Sequence, residues 1–467
     1  MEIKTETNIP DSTSQDFQAM IEYWETVQNV VDGRGAVVRG AEKYLPKFPN
    51  ETKKDYDFRL QTAKFTNVYR DIVENLAQKP FAHELALADD ESPEQIKALV
   101  EDIDGRGNHL HVFAQDTFFN GINKAIDWIL VDHSRSPGLR TIAEEREAGA
   151  RPYWVHIPAE AVIWIESEII AGREQLVKIK ILEEKGRVKT FIRKSGIVTW
   201  TVEVQSGVAD SGWVVEDKGT LTIDEIPMVP FVTGRRRGKN WQFNPPMRDA
   251  VDLQIELYQQ ETALKHIKAL TCFPMLAGNG VEPERDESGN AKPVPVGPQA
   301  VLYAPPNGDG EHGEWKWIIT EAETLKFLAE DVKDTIKELR ELGRQPLTAQ
   351  SGNLTVITTS VAAAKGNSAV QSWAMLLKDA LENAFRITAK WLNREGDAPE
   401  VRVFTDFGVE DQDEKTPEHL LKAREQGDLS QVTVWEEFKR RGILGPEFTP
   451  ERELERLFEE LPGEGDL

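Results

Sequence analysis

Three long helical patterns follow one another between residues 246 and 393, and what interrupts them limits the folds open to this chain. In the first, from Pro246 to about Leu270, Leu253, Leu257, Leu264 and Ile267 share one side. The third, from about 361 to 393, sets Val370, Trp373, Leu377, Ala380, Ala384, Ile387 and Trp391 at alternating spacings of three and four. That is the seam of a helix buried against neighbours. Between the first and second, residues 281–314 are rich in Gly, Pro and charge and hold the short strand candidates AVLYA and WKWII. They predict a small β insertion on a long connection. Between the second and third runs RQPLTAQSGNLTVITTS (344–360), which has no acidic residue and one full charge, Arg344.

The middle pattern, 321–342, carries three faces. At about 100° per residue, Leu325, Leu328, Val332, Ile336 and Leu339 fall together. Lys326, Lys333, Lys337, Arg340 and Arg344 fall about a quarter-turn away, and Glu323, Glu330, Asp334, Glu338 and Glu341 take a third face. In a monomer this is a solvated helix of mixed charge. In a ring of identical copies, the acidic stripe of one subunit meets the basic stripe of the next, or the basic stripe lines a lumen. The sequence leaves the three readings open.

The rest of the chain divides by period. Residues 14–45 read as helical with a break near Gly33–Gly35. A helix capped by Asn50 runs to the stop at Pro80, another opens at Ser92–Pro93, and a further one occupies about 108–121. From Ala125 to Phe231 the period is two. Val177, Ile179 and Ile181 alternate there with Lys178 and Lys180, as a half-buried antiparallel sheet requires. After a strand in EVRVFTDF the chain is helical again: Gly427 ends one helix, a capping box Thr433–Glu436 opens the next, and Thr449–Pro450 starts the last. The class is α+β, and 467 residues imply two to four structural regions.

A net charge of −24 argues against a protein that grips nucleic acid over a broad surface. It leaves open a wall past which DNA slides, because like charge repels. No apolar run of about 18 residues predicts a transmembrane helix, so no membrane is expected. The polar start MEIKTETNIPDSTSQD predicts no signal peptide, and the single cysteine, Cys272, allows no internal disulfide. A soluble intracellular product is expected.

Catalytic patterns fail on spacing. GRRRGKN (234–240) lacks the four residues a phosphate loop places between its glycines, and Asn240 stands where Ser or Thr would hold magnesium. His109 and His111 form an HxH pair with only Asp116 nearby as a third ligand, a poor zinc set. Cys272 beside Phe273 reads as a packed side chain, no GxSxG occurs, and no carboxylate pair is singled out for glycosidase chemistry. Lys439, Arg440 and Arg441 sit at a helix C-terminus, where they complement the dipole rather than read DNA. The reading is therefore non-enzymatic, with no catalytic, cofactor or metal residue. Two alternatives are a metal-dependent hydrolase built on His109, His111 and Asp116, and a monomeric acidic scaffold.

The order of parts, together with YLPKFPNETKKDYDFRLQTAKFTN (44–67), WILVDHS and RPYWVHIPAEAVI (128–163), IPMVPF and NPPMRDAVDLQIELYQQ (226–260), VRVFTDF and GDLSQVTVWEEFKRRGIL, resembles the portal proteins of tailed double-stranded DNA phages. The resemblance implies a wing (1–244), a stem helix (245–271), a clip (272–319), a second stem helix (320–343), a tunnel loop (344–360), a long wing helix with a return strand (361–410) and a crown (411–467). It also implies a homo-oligomeric ring, usually a dodecamer, at one capsid vertex of the virion, assembled in the bacterial host cytoplasm. The implied partners are the terminase large subunit, the head-to-tail adaptor, the major capsid protein, a scaffold protein, and double-stranded DNA in transit during packaging and ejection. The loop residues Arg344, Gln345, Thr348, Gln350, Ser351, Asn353, Thr355, Thr358 and Thr359, with Lys365 just beyond, are then expected at the constriction of the channel. Their hydroxyls and amides offer hydrogen bonds to phosphates without a strong ionic hold. Lys326, Lys333, Lys337, Arg340, Glu330, Asp334 and Glu338 are expected at subunit contacts or on the lumen.

Overall fold

Strand Ile126–His133 is buried along nearly its whole length: Ile126, Trp128, Ile129, Leu130 and Val131 all lie inside. A strand covered on both faces reads as a continuous apolar run, which is how DWILV reads. It is the middle of a three-stranded antiparallel sheet, with Pro152–Ile157 on one side and Met228–Val232 on the other. Helix Leu110–Lys124 packs on this sheet so closely that a Cβ at Gly121 would fall 2.3 Å from the Phe231 ring, so only glycine fits there. The computed structural model describes residues 9–88, 93–134, 149–206, 212–271, 275–281, 285–290, 313–318, 322–342, 356–405, 416–440, 443–444 and 448–460. The chain divides into two units, Met1–Thr405 and Asp406–Leu467.

In the larger unit, five strands between Val162 and Thr220 form an antiparallel meander in chain order. Ile179, Ile181, Val188, Phe191, Val198 and Val202 are buried on it. Lys180 is the departure from simple alternation, since it is only 7 % exposed. Its ammonium lies 5.2 Å from the Trp164 ring and donates to the Ile9 carbonyl and the Ser12 hydroxyl. The start of the chain therefore covers a stretch of sheet that period-two reasoning assigns to solvent.

Helix Gln15–Asp32 is capped by Ser14, whose hydroxyl accepts from the Phe17 amide, and ends at Gly33, whose φ of 89° no other residue adopts readily. The expected break near Gly33–Gly35 is there, with a short helix Arg34–Arg39 beyond. The helix expected from Asn50 to Pro80 is two helices, Lys53–Gln61 and Val68–Gln78. Thr52 and Asn67 are their caps, and Asn50 stands outside with φ 64°. The cause is tertiary. Glu261 accepts from the Thr66 amide (2.9 Å) and hydroxyl (2.7 Å), while Gln254 bonds the Tyr69 amide and the Thr66 carbonyl, so the backbone there is pulled out of a helix.

Helix Arg248–Thr271 runs antiparallel beside Ala322–Leu342, and the strand pair Met275–Asn279 with Glu314–Ile318 joins their far ends. Near the body the first helix buries Val251, Gln254, Leu257, Tyr258, Glu261 and Thr262, with Tyr258 in a cluster of Val37, Tyr44, Leu45 and Ala63. Beyond Thr262 no described residue of that helix is buried, and among the described side chains of the second helix Val332 is the first that is buried. The pair is rooted at one end and emerges at the other. Of the expected strands here, WKWII is realised in part, and AVLYA (300–304) lies outside the described residues.

Helix Val356–Trp391, 36 residues long, packs on the three-stranded sheet. Trp154 Nε1 donates to the Thr388 hydroxyl (2.9 Å), and Trp391 Nε1 donates to the Val131 carbonyl (3.0 Å). Arg386 forks onto Glu225 at 2.6 and 2.8 Å, and Lys390 reaches both Asp224 and Glu225. The strand in EVRVFTDF is short: Val401–Arg402 pairs with Ala86–Leu87.

The second unit holds helices Thr416–Glu425, Gln431–Arg440 and Pro450–Glu460. Gly427 follows the first with φ 83°. The cap of the second is Ser430, not Thr433, because Ser430 Oγ accepts from the Thr433 amide and the two hydroxyls bond at 2.8 Å. Trp435 packs on Phe448, and Lys439 Nζ donates to the Phe448 carbonyl at 2.7 Å.

Candidate functional site

The elements with functional promise are the emerging helix pair and the 36-residue helix after it. On Ala322–Leu342, Val332, Thr335 and Leu339 are buried and Leu325, Leu328 and Ile336 half-buried, so the predicted apolar face is the packed one. Lys326, Lys333 and Lys337 are exposed, as are Glu330, Asp334, Glu338 and Glu341. Arg340 stands apart from the lysines. It is half-buried and pairs with Asp71 of helix Val68–Gln78 at 3.2 Å, tying the second helix to the body.

One residue of this helix was not singled out from the sequence. Phe327 is 69 % exposed. On the wheel it lies about 20° from Asp334, inside the acidic stripe and far from the apolar face. The wheel already contains that signal, an aromatic ring with no apolar neighbours on its own side.

The segment that links this helix to the next lies outside the described residues, and with it Arg344, Gln345, Thr348, Gln350, Ser351, Asn353 and Thr355. The 36-residue helix starts at Val356, about a turn earlier than the sequence indicates. Thr358, Thr359 and Lys365 therefore stand on the helix and not in the connection. The helix is tied further on, where Lys79 Nζ donates to Asn367 Oδ1 at 2.7 Å. Burial holds the Lys79 ammonium below the ordinary lysine range.

The HxH pair has structural work. His109 caps helix Leu110–Lys124, its Nδ1 accepting from the His111 amide at 3.0 Å. His111 Nδ1 accepts from the Leu85 amide (3.2 Å), its ring stands edge-on to Phe81, and burial lowers its pKa. Asp116 is exposed further along the same helix. Among the described residues no group of three His, Cys, Asp or Glu is placed to hold a metal ion. In the basic turn, Arg236 forks onto Glu174 and lies over the Trp241 ring. Cys272 lies outside the described residues.

Sequence reasoning also missed a buried pair. Asp127, fully buried on the central strand, meets His156 Nε2 at 2.5 Å through Oδ2. Burial raises the Asp127 pKa. For His156 burial acts downward, but the bond to and charge of Asp127 leave it raised. A single Asp in an apolar run, DWILV, is the signal that was available.

A protein family described as a domain of unknown function (DUF4055) matches residues 246–392, the block from the first paired helix to the end of the 36-residue helix. No curated protein matches the chain. Among solved structures, the chain is similar to one in the neck of an empty GTA particle computed with C6 symmetry. That likeness has 11 % identity and a TM-score of 0.42, covering 81 % of this chain and 90 % of the other. A chain in the neck of a native GTA particle computed with C12 symmetry is 12 % identical with a TM-score of 0.40, covering 83 % and 94 %. A chain of the virion of a native gene transfer agent particle is 11 % identical with a TM-score of 0.39, covering 88 % and 99 %.

Proposed function

We propose that this chain is the portal subunit of a tailed-phage-like particle: a non-catalytic ring at one capsid vertex, through whose axis double-stranded DNA enters and leaves. The observation that carries the reading is the helix pair Arg248–Thr271 and Ala322–Leu342, rooted in the body at one end and joined by a strand pair at the other. A body that holds a three-stranded and a five-stranded antiparallel sheet precedes it, and a connection without acidic residues and a 36-residue helix come after it. In this reading the helix pair is the stem, the strand pair belongs to the clip that meets the terminase large subunit or the adaptor, and the helices after 416 form the crown. The major capsid protein and a scaffold protein would contact the body.

The segment 344–355, from Arg344 to Thr355, would narrow the channel. Its hydroxyl and amide side chains give passing phosphates hydrogen bonds that exchange easily, while the acidic bulk of the chain keeps DNA from adhering. Mass in solution followed by electron microscopy of the same sample tests the proposal. Rings with a central hole, many times the 52.7 kDa of one chain, are expected. A single-chain mass at every concentration, with or without the capsid and scaffold proteins, would sink it.

A further inference from the structure

We infer that helix Ala322–Leu342 presents its acidic face, with Phe327 in it, to the lysine face of the same helix in a neighbouring copy of this chain. The inference rests on the ring reading and says which surfaces close the ring. Three observations on one helix lead to it. Lys326, Lys333 and Lys337 share one exposed face, and Glu330, Asp334 and Glu338 share the adjoining one. Among the described residues none of these six forms an ion pair. Phe327, 69 % exposed, stands inside the carboxylate stripe, where a solvated helix would carry a polar residue.

The presence of both complementary faces on one helix favours a second copy over a foreign basic partner. With the ring axis taken along the helix, rotation keeps equal residue numbers at equal height. Lys333 of one copy is then within one residue, about 1.5 Å of rise, of the next copy's Asp334. Lys337 is level with Glu338 in the same way, and Lys326 with Phe327, whose ring suits an ammonium and its aliphatic stem. The two faces adjoin and do not coincide, so the contact is heterologous and propagates from copy to copy until the ring closes.

Two triple variants test this: Glu330→Lys with Asp334→Lys and Glu338→Lys, and Lys326→Glu with Lys333→Glu and Lys337→Glu. All six positions are exposed, so both variants should keep the wild-type circular dichroism spectrum. Each variant alone places like charges at every contact, and its ring fraction should fall roughly tenfold or more at equal concentration. An equimolar mixture should recover the ring mass, because every acidic face then meets a basic one when the two variants alternate. Folded variants that keep ring mass alone, or that fail to recover it when mixed, would overturn the pairing. So would a lysine-to-glutamate variant that keeps its rings and loses only DNA retention, which would put the lysines on the lumen. In each of those outcomes the wild-type rings persist, whereas failure of the ring reading itself leaves the wild type as single chains.

Discussion

Replacing Glu261 with Ala would remove the clamp that roots helix Arg248–Thr271 in the body. The carboxylate is 2 % exposed and makes three contacts: the Thr66 amide at 2.9 Å, the Thr66 hydroxyl at 2.7 Å and Lys64 Nζ at 2.8 Å. Hydrogen bonds to a buried charge contribute about 1.5–3 kcal/mol each before the remaining partners relax. The Lys64 pair counts for little, under about 0.5 kcal/mol, because that side chain is 55 % exposed. Alanine also strands the Thr66 amide, so the expected loss is about 3 kcal/mol, whereas Lys64→Ala should cost less than about 0.5 kcal/mol. Glu261→Gln keeps an oxygen for the Thr66 amide but gives up the charge, and should cost about 1–1.5 kcal/mol. Native-state hydrogen exchange reads this locally. Exchange of the Thr66 and Tyr69 amides should rise about a hundredfold in Glu261→Ala, with amides of the five-stranded meander unchanged. Equal losses for Lys64→Ala and Glu261→Ala would refute the reasoning, since the exposed ion pair would then stabilise as much as the buried bonds. A shift under about 0.5 kcal/mol for Glu261→Ala would refute it too.

Thr388→Val leaves the buried Trp154 indole N–H without an acceptor and should cost about 1–3 kcal/mol, read as a lower urea midpoint at unchanged slope. Glu225 has its pKa held below the ordinary value of 4.5 by Arg386 and Lys390, although burial acts the other way. A depressed folded pKa means this contribution is complete above the unfolded carboxylate range and is lost as pH falls through the folded value. Glu225→Gln should therefore be less stable than wild type at neutral pH and converge with it in strong acid. A stability gap that persists unchanged at acid pH would contradict this.

How much of this was legible in the sequence depends on whether local or tertiary forces decide each element. The three faces of 321–342 are a property of one helix, and among the described side chains exposure follows them except at Arg340, which pairs with Asp71. The glycine break at Gly33 is likewise local, a positive φ that the residue type announces. The split at 62–67 was not legible, because the competing partner of the Thr66 amide is Glu261, about two hundred residues away in sequence. Lys180 reads as solvent-facing until the Ile9–Ser12 stretch is laid over it, and no pattern in either segment announces the other. The cap at Ser430 was missed for a smaller reason: Thr433 has the right chemistry for a cap, and Ser430, three residues earlier, has it too. The roles of His109 and His111 turn on capping geometry that spacing alone does not distinguish from ligation.

The helix pair is anchored unevenly. Near the body, Glu261, Gln254 and Gln259 on the first helix bond backbone groups of residues 44–69, and Arg340 ties the second helix to Asp71. At the far end the described side chains are half-buried or exposed, and Lys326, Phe327 and Glu330 lie there, whereas Lys333, Asp334, Lys337 and Glu338 are exposed at the levels where Val332, Thr335 and Leu339 are buried. Surface left over after a chain has satisfied itself is the surface available to a partner. A ring closed through the charged faces of helix Ala322–Leu342 would draw on many weak, salt-screened pairs instead of one strong contact.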